Sequence, residues 1–199
     1  MTDSKNSAAG KSGFNRRDFL RGSGAVAAAT ALHAQDASAA QSQGPKVVRG
    51  EQTIQLNVNG KEHSVNAEPR TTLLEVLRYQ LDLTGAKPVS LDGSSGASTV
   101  LVDGKPVTAS TTLAMSATGK KIQTAEDLAD DAIPKAFVKH DAQQCGFCTP
   151  GFVVAVRAFL NQNPNATEAQ IREGLNGNIC RCGTYANIVD AALEVARGG

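Results

Sequence analysis

Between Thr53 and Glu68 polar and apolar residues alternate, with Ile54, Leu56 and Val58 on the way out, Val65 on the return, and Asn59-Gly60 between them. A period of two around an Asn-Gly pair predicts a β-hairpin, with order beginning at Thr53. Thr72-Leu-Leu-Glu75 has the form of a capping box, and Leu73, Leu74, Leu77 and Leu81 continue at helical spacing until Gly85, which predicts a helix between. A Gly/Ser-rich loop follows from Pro88 to Ser98. Thr99-Val-Leu-Val-Asp-Gly104 then reads as a short apolar strand ending in an Asp-Gly turn, and Lys121-Ile-Gln-Thr124 as a further edge strand. Together, residues 53–126 predict a small α+β sheet domain.

From about Leu128 the period becomes helical. Ile133 to His140, Pro150 to Asn161, Thr167 to Leu175 and Tyr185 to Ala196 read as four helices, broken at Asn163-Pro164 and Gly177. Val153, Val156 and Leu160 form one apolar stripe, and Ile188, Ala192 and Val195 another. Residues 127–199 therefore predict a small helical bundle. The chain has 199 residues with 19 Gly, 4% aromatics and no Trp, so both cores must be aliphatic and either half needs a staple such as a metal centre.

The net charge of +1 carries no basic excess of the kind nucleic-acid binding requires. Asn15-Arg16-Arg17-Asp18-Phe19-Leu20-Arg21 has the twin-Arg pattern, a weakly apolar run from Gly22 to Leu32 follows, and Ala37-Ser38-Ala39 supplies small residues for cleavage. Residues 1–39 are thus expected to be a twin-Arg signal peptide directing a folded chain to the periplasm, and 40–52 a flexible leader. The signal holds Lys5, Lys11, Arg16, Arg17 and Arg21 against Asp3, Asp18 and Asp36, so removing its +2 from the total of +1 leaves the mature chain near −1. The apolar run is too short for a permanent span, and no transmembrane segment is expected in the mature chain.

All four cysteines lie in the helical half, as Cys145-Gly-Phe-Cys148 and Cys180-Arg-Cys182. Four soft thiolates on two short turns suit a 2Fe-2S centre, two to each iron. Spacing alone also admits a structural zinc site, two disulfides, or a redox dithiol at Cys145 and Cys148. Thr149 in place of His excludes c-type haem attachment. His63 and His140 have no partner at ligand spacing and read as surface or core residues.

Gln144-Cys-Gly-Phe-Cys-Thr-Pro-Gly151 and Gly177-Asn-Ile-Cys-Arg-Cys-Gly183 strongly resemble the cluster-binding segments of the xanthine dehydrogenase and aldehyde oxidoreductase family, the molybdenum hydroxylases. The likeness runs over about residues 53–197 and is strongest to the small iron–sulfur subunits of periplasmic aldehyde oxidoreductases. It implies a β-grasp ferredoxin-like domain followed by a four-helix domain holding one 2Fe-2S cluster on Cys145, Cys148, Cys180 and Cys182. It also implies that Gln144 and Cys182 lie against the pterin, and that Gly146, Gly151 and Gly183 give the backbone room. The function implied is electron transfer, without catalysis in this chain, away from a molybdopterin-binding large subunit that oxidises an aldehyde or N-heterocycle. A flavin subunit or a cytochrome would accept the electrons. The rivals are a thiol–disulfide oxidoreductase using Cys145 and Cys148, and a structural or assembly subunit without electron traffic.

One departure stands beside the match. The family's first domain holds a second cluster at Cys-x4-Cys-x2-Cys and a later Cys, and in that register this chain has Ser90, Ser95, Ser98 and Ser110. Val89 and Leu91 also replace glycines usual in the family. A protonated alcohol does not substitute for a soft thiolate, so this cluster is expected to be absent.

Overall fold

The computed structural model describes residues 47–198; the twin-Arg segment, the cleavage point and residues 40–46 of the leader lie outside the described residues. From Arg49 onward the chain forms one compact unit. β1 (Gln52–Val58) and β2 (Lys61–Ala67) are the expected hairpin, in the register Leu56↔His63, with Asn59 and Gly60 both at positive φ in the turn. The alternation explains the burial. Leu56, Val58, Val65 and Ala67 face inward while the residues between them are more exposed.

The capping box is present: the Glu75 N–H donates to the Thr72 hydroxyl, and the Glu75 carboxylate accepts from the Thr72 N–H at 2.7 Å. It starts α1 (Leu73–Tyr79), which is shorter than the leucine spacing predicts. The chain turns away because Asp82 takes φ +56°, and the Leu83 N–H reaches back to the Leu77 carbonyl. Leu81 and Leu83 still pack against the sheet core, so their spacing reflects burial beyond the helix.

β3 (Thr99–Val102), β4 (Lys105–Thr108) and β5 (Lys121–Gln123) complete a five-stranded sheet in the order β2-β1-β5-β3-β4. The Lys121 segment is therefore not an edge strand. It runs parallel to β1 and antiparallel to β3, and Ile122 is buried between them. β3 is buried on both faces: Val100 and Val102 join the core with α1, while Leu101 joins the helical core. A strand covered on both sides needs an unbroken apolar run, and the sequence has one there.

The four later helices match the periodicity closely: α2 (Ala132–Lys139), α3 (Thr149–Gln162), α4 (Glu168–Gly174) and α5 (Tyr185–Ala196). α3 lies against β3 and β4, with Val153, Val156 and Leu160 buried; Ile188 and Ala192 of α5 are buried too, and Val195 partly so. The architecture is α+β, a mixed sheet capped by α1 and joined to a helical layer. Among the described residues no helix is long and apolar enough to cross a membrane.

Candidate metal centre

The first cysteine pair occupies the connection between α2 and α3. His140 closes α2, Asp141 takes φ +51°, and the buried Ala142 donates to the Phe137 carbonyl, which fixes where the loop begins. Cys148 is the N-cap residue of α3, with Pro150 in the first turn where its missing N–H costs nothing. Between the cysteines, Gly146 takes φ +75° with no atom nearer than 3.9 Å to the position of a Cβ. Glycine is needed there for its left-handed backbone and not to relieve crowding. At Gly183 too there is open space around the Cβ position, whereas at Gly151 a Cβ would sit 2.6 Å from the Gly96 carbonyl oxygen. The expectation of backbone room thus holds in the literal sense only for Gly151.

The second pair lies between α4 and α5. The Cys180 N–H donates to the Tyr185 hydroxyl at 2.8 Å, and its Sγ sits 3.3 Å from the Thr184 Oγ1. Thr184, itself buried, reaches the Ala142 carbonyl at 3.5 Å, and Asn187 donates to the His140 carbonyl at 2.9 Å. These contacts bind the start of α5 to the loop that carries the first cysteine pair. Tyr185 also meets Phe152 edge-on, with ring centroids 6.2 Å apart.

Cys180 is buried, Cys148 partly so, and Cys145 and Cys182 are exposed, all four as free thiols. Burial pushes the Cys148 thiol up to about 12, reinforced by its hydrogen bond to Cys180 and by the neighbouring Cys180 and Cys145 charges. At Cys180 burial also opposes ionisation, but hydrogen bonds from the Thr184 hydroxyl and backbone, from Cys148 and from the Gly183 backbone outweigh it and bring the thiol down to about 7. Cys148 thus feels both Cys180 and Cys145. Among the described residues no three metal-ligating side chains stand together in one group.

The donor set fits an iron–sulfur group: four thiols on two tied loops, one already poised to ionise. The Thr149 hydroxyl, on the residue after Cys148, is buried with no hydrogen-bond partner among the described residues, as expected where a group outside the polypeptide completes the site. Gln144 is exposed beside Cys145. His140 is not a ligand: its ring lies 2.7 Å from the Glu194 carboxylate, and His63 is half-buried on β2.

The serines of the other loop are also brought together. Ser90 and Ser95 meet hydroxyl to hydroxyl at 2.7 Å, and the Ser98 hydroxyl donates to Ser110 at 3.0 Å. This loop touches the cysteine site directly: the Ile179 N–H donates to the Ser95 carbonyl and the Asn178 amide to the Gly96 carbonyl, each at 3.0 Å. Sequence reasoning missed Thr184, Tyr185 and Asn178. A Thr ahead of a helical run signals an N-cap, but its role in joining the cysteine loops is visible only in three dimensions.

A family model described as a [2Fe-2S] binding domain matches residues 124–193, a span that contains all four cysteines and none of the four serines. The chain is 42% identical over 144 residues to the nicotine 6-hydroxylase small subunit of Paenarthrobacter nicotinovorans, covering 71% of this chain and 87% of that one. It is 39% identical over 204 aligned positions to the aldehyde oxidoreductase iron-sulfur-binding subunit PaoA of Escherichia coli K12, covering 93% and 89%. It belongs to the iron–sulfur subunits of the xanthine dehydrogenase and aldehyde oxidoreductase family.

Solved structures agree. A chain of quinoline 2-oxidoreductase from Pseudomonas putida 86 superposes with a TM-score of 0.70 at 38% identity, over 75% of this iron–sulfur subunit and 98% of that chain. The aldehyde oxidoreductase of Desulfovibrio desulfuricans gives 0.69 at 38% identity, over 74% of this subunit but 17% of that much longer chain. The α+β fold, with a ferredoxin-like sheet half and a helical half, is thereby that of these iron–sulfur subunits. A model of the twin-arginine translocation signal matches residues 13–33, so the subunit carries an address for export to the periplasm.

Proposed function

We propose that this subunit is the electron-transferring, non-catalytic part of a periplasmic molybdenum-cofactor hydroxylase, holding one 2Fe-2S cluster on Cys145, Cys148, Cys180 and Cys182. The observation that carries the reading is the pair of cysteine loops tied together through Thr184 inside the segment matched as a 2Fe-2S binding domain. The cluster supplies reversible one-electron storage when bound. The protein's own part is to hold and tune it. Thr184 stabilises the Cys180 thiolate, Gly146 lets the first loop turn its backbone around the site, and Thr149 has a hydroxyl free to donate to a sulfur.

Gln144 and Cys182 we assign to the side facing the pterin of the large subunit, on the family likeness and on their exposure. Phe147 and Ile179, half-exposed next to the cysteines, suit a surface that a large partner covers. On this reading residues 53–126 are a supporting β-grasp domain and 127–199 the cluster-bearing domain. The acceptor beyond it is a flavin subunit or a cytochrome. The dithiol alternative is disfavoured because such a motif follows a strand, whereas Cys145 and Cys148 follow the helix α2.

Iron, acid-labile sulfide and turnover of the native complex with an external acceptor test the proposal. The expected result is iron and sulfide in equal amounts, with turnover lost in Cys148→Ser. Zinc or disulfides at the four cysteines of freshly purified protein would overturn it, and turnover unaffected in Cys148→Ser would leave only an assembly role.

A further inference from the structure

We propose that the Ser90, Ser95, Ser98 and Ser110 site is a closure made of hydrogen bonds and not of metal, so that the subunit carries a single iron–sulfur centre and the serine loop serves to position the cysteine loop. The spacing Ser90-x4-Ser95-x2-Ser98 with a later serine is that of a plant-type ferredoxin site with an alcohol at every thiolate position. Such a site needs four soft anionic sulfurs, and a serine hydroxyl is hard and stays protonated at neutral pH. The residues therefore do not fit the group.

They fit something else. Each hydroxyl both donates and accepts, and the four use that capacity on one another. Ser90 meets Ser95 at 2.7 Å and Ser98 meets Ser110 at 3.0 Å, while the Ser95 and Ser110 N–H groups donate to the Ser90 and Ser98 hydroxyls at 3.0 and 3.3 Å. Ser98 and Ser110 are only 2% and 6% exposed, and none of the four serines is among the buried polar atoms left without a partner in the described residues. The loop is satisfied within itself, which a half-built metal site would not be.

The closed loop then bears on the cysteines through backbone contacts. The Ser95 carbonyl accepts from Ile179, next to Cys180, and the Gly96 carbonyl accepts from Asn178. Gly96 has φ +66°, and a Cβ there would lie 2.3 Å from the Gly177 carbonyl oxygen, so the two loops touch without a side chain between them. Ser90 and Ser95 are thus positioning residues: their bond holds the carbonyl that holds Ile179.

The inference rests on the cysteine centre proposed above, and one measurement separates the two. Iron analysis with electron paramagnetic resonance of the reduced native complex should give about two irons assigned to this chain and one 2Fe-2S signal. About four irons, or a second signal from this chain, would overturn the inference while leaving the cysteine centre intact; no iron at this chain would instead defeat the cysteine centre. For the positioning role, Ser90→Ala with Ser95→Ala should keep the iron but shift the midpoint potential and the line shape of the one signal, and Ser90→Thr with Ser95→Thr should restore them. The single change Ser90→Ala, which leaves the Ser95 hydroxyl in place, should move the same two readouts by less. An unchanged potential and line shape in these alanine variants would overturn the positioning role.

Discussion

Ser98 and Ser110, in the sheet half, are buried hydroxyls that answer each other at 3.0 Å, whereas Cys145 and Cys182, in the helical half, are exposed thiols with no such answer. Both regions carry four side chains at ligand spacing. In the serine loop every hydroxyl finds its partner within the polypeptide. In the cysteine loops the buried Thr149 hydroxyl is left with a bond to make. Four side chains at ligand spacing therefore do not define a metal site. What matters is whether the atoms are satisfied before the metal arrives, and whether they are soft enough to hold it.

The largest effect should come from the cysteines. Cys180→Ala removes a proposed ligand and the contact with Thr184, so iron should fall close to zero, with the visible absorption bleached. The helical half should lose much of its resistance to unfolding, because metal-binding free energy is also folding free energy. Iron content and a thermal melt on the same sample check this. Iron retained at the wild-type level would erase the distinction between the two loops.

Next in size is the seam between the loops. Gly96→Ala places a Cβ 2.3 Å from the Gly177 carbonyl oxygen at φ +66°, combining a backbone clash with left-handed strain. A loss of about 2–4 kcal/mol is expected, the sum of overpacking and strain. Gly146→Ala, at φ +75° in open space, meets the strain alone and should cost about 1–2 kcal/mol. Chemical unfolding of the two variants side by side measures the difference, and equal losses would mean that the loops do not press on each other.

Ser98→Ala is milder. It deprives the buried Ser110 hydroxyl of its donor and the Ser110 N–H of its acceptor, for an expected loss of about 1–3 kcal/mol. Iron content should not change. The same kind of truncation at Cys180 should empty the site, and that contrast separates the two loops most clearly.

How much of this the sequence displays depends on the range of the contact involved. The hairpin, the capping box and the four later helices are local, and residue patterns mark them to within a residue or two at most ends. β4 is not marked. It has Pro106 in a run of four, a pattern that demotes a strand, and Pro106 is tolerated because β4 is at the sheet edge. β5 is three residues long and its central place comes from pairing with β1 and β3, far away in sequence. The cysteines and serines are legible as ligand-spaced residues because their types and spacing are chemical. Their neighbours are not: Thr184 reaches Ala142 across 42 positions and Asn178 reaches Gly96 across 82.

The smallest expected effect is a control at the start of α1, which borders the Ser110 segment through the Leu74 N–H on the Ala109 carbonyl but leaves the Ser90–Ser95 bond and the Ile179 contact in place. In the capping box the Thr72 backbone N–H and then its hydroxyl bond the Glu75 carboxylate and hold its pKa below the ordinary carboxylate value of 4.5. A carboxylate depressed in the folded state contributes stability above its unfolded pKa, and that stability is lost as pH falls through the lower, folded value. The contribution should be small, since Glu75 is exposed and its charge is screened. Thr72→Ala removes the cap and should cost about 1 kcal/mol at neutral pH, and Glu75→Gln should flatten the acid limb of the stability curve below about pH 4.5. Neither change touches Ser95, Gly96 or Ile179, so the resonance signal and potential of the iron centre should be the same as in the wild-type protein. If Thr72→Ala shifts that potential as far as Ser90→Ala with Ser95→Ala does, general loosening of the sheet half moves the centre, and the serine bonds have no special part in holding it.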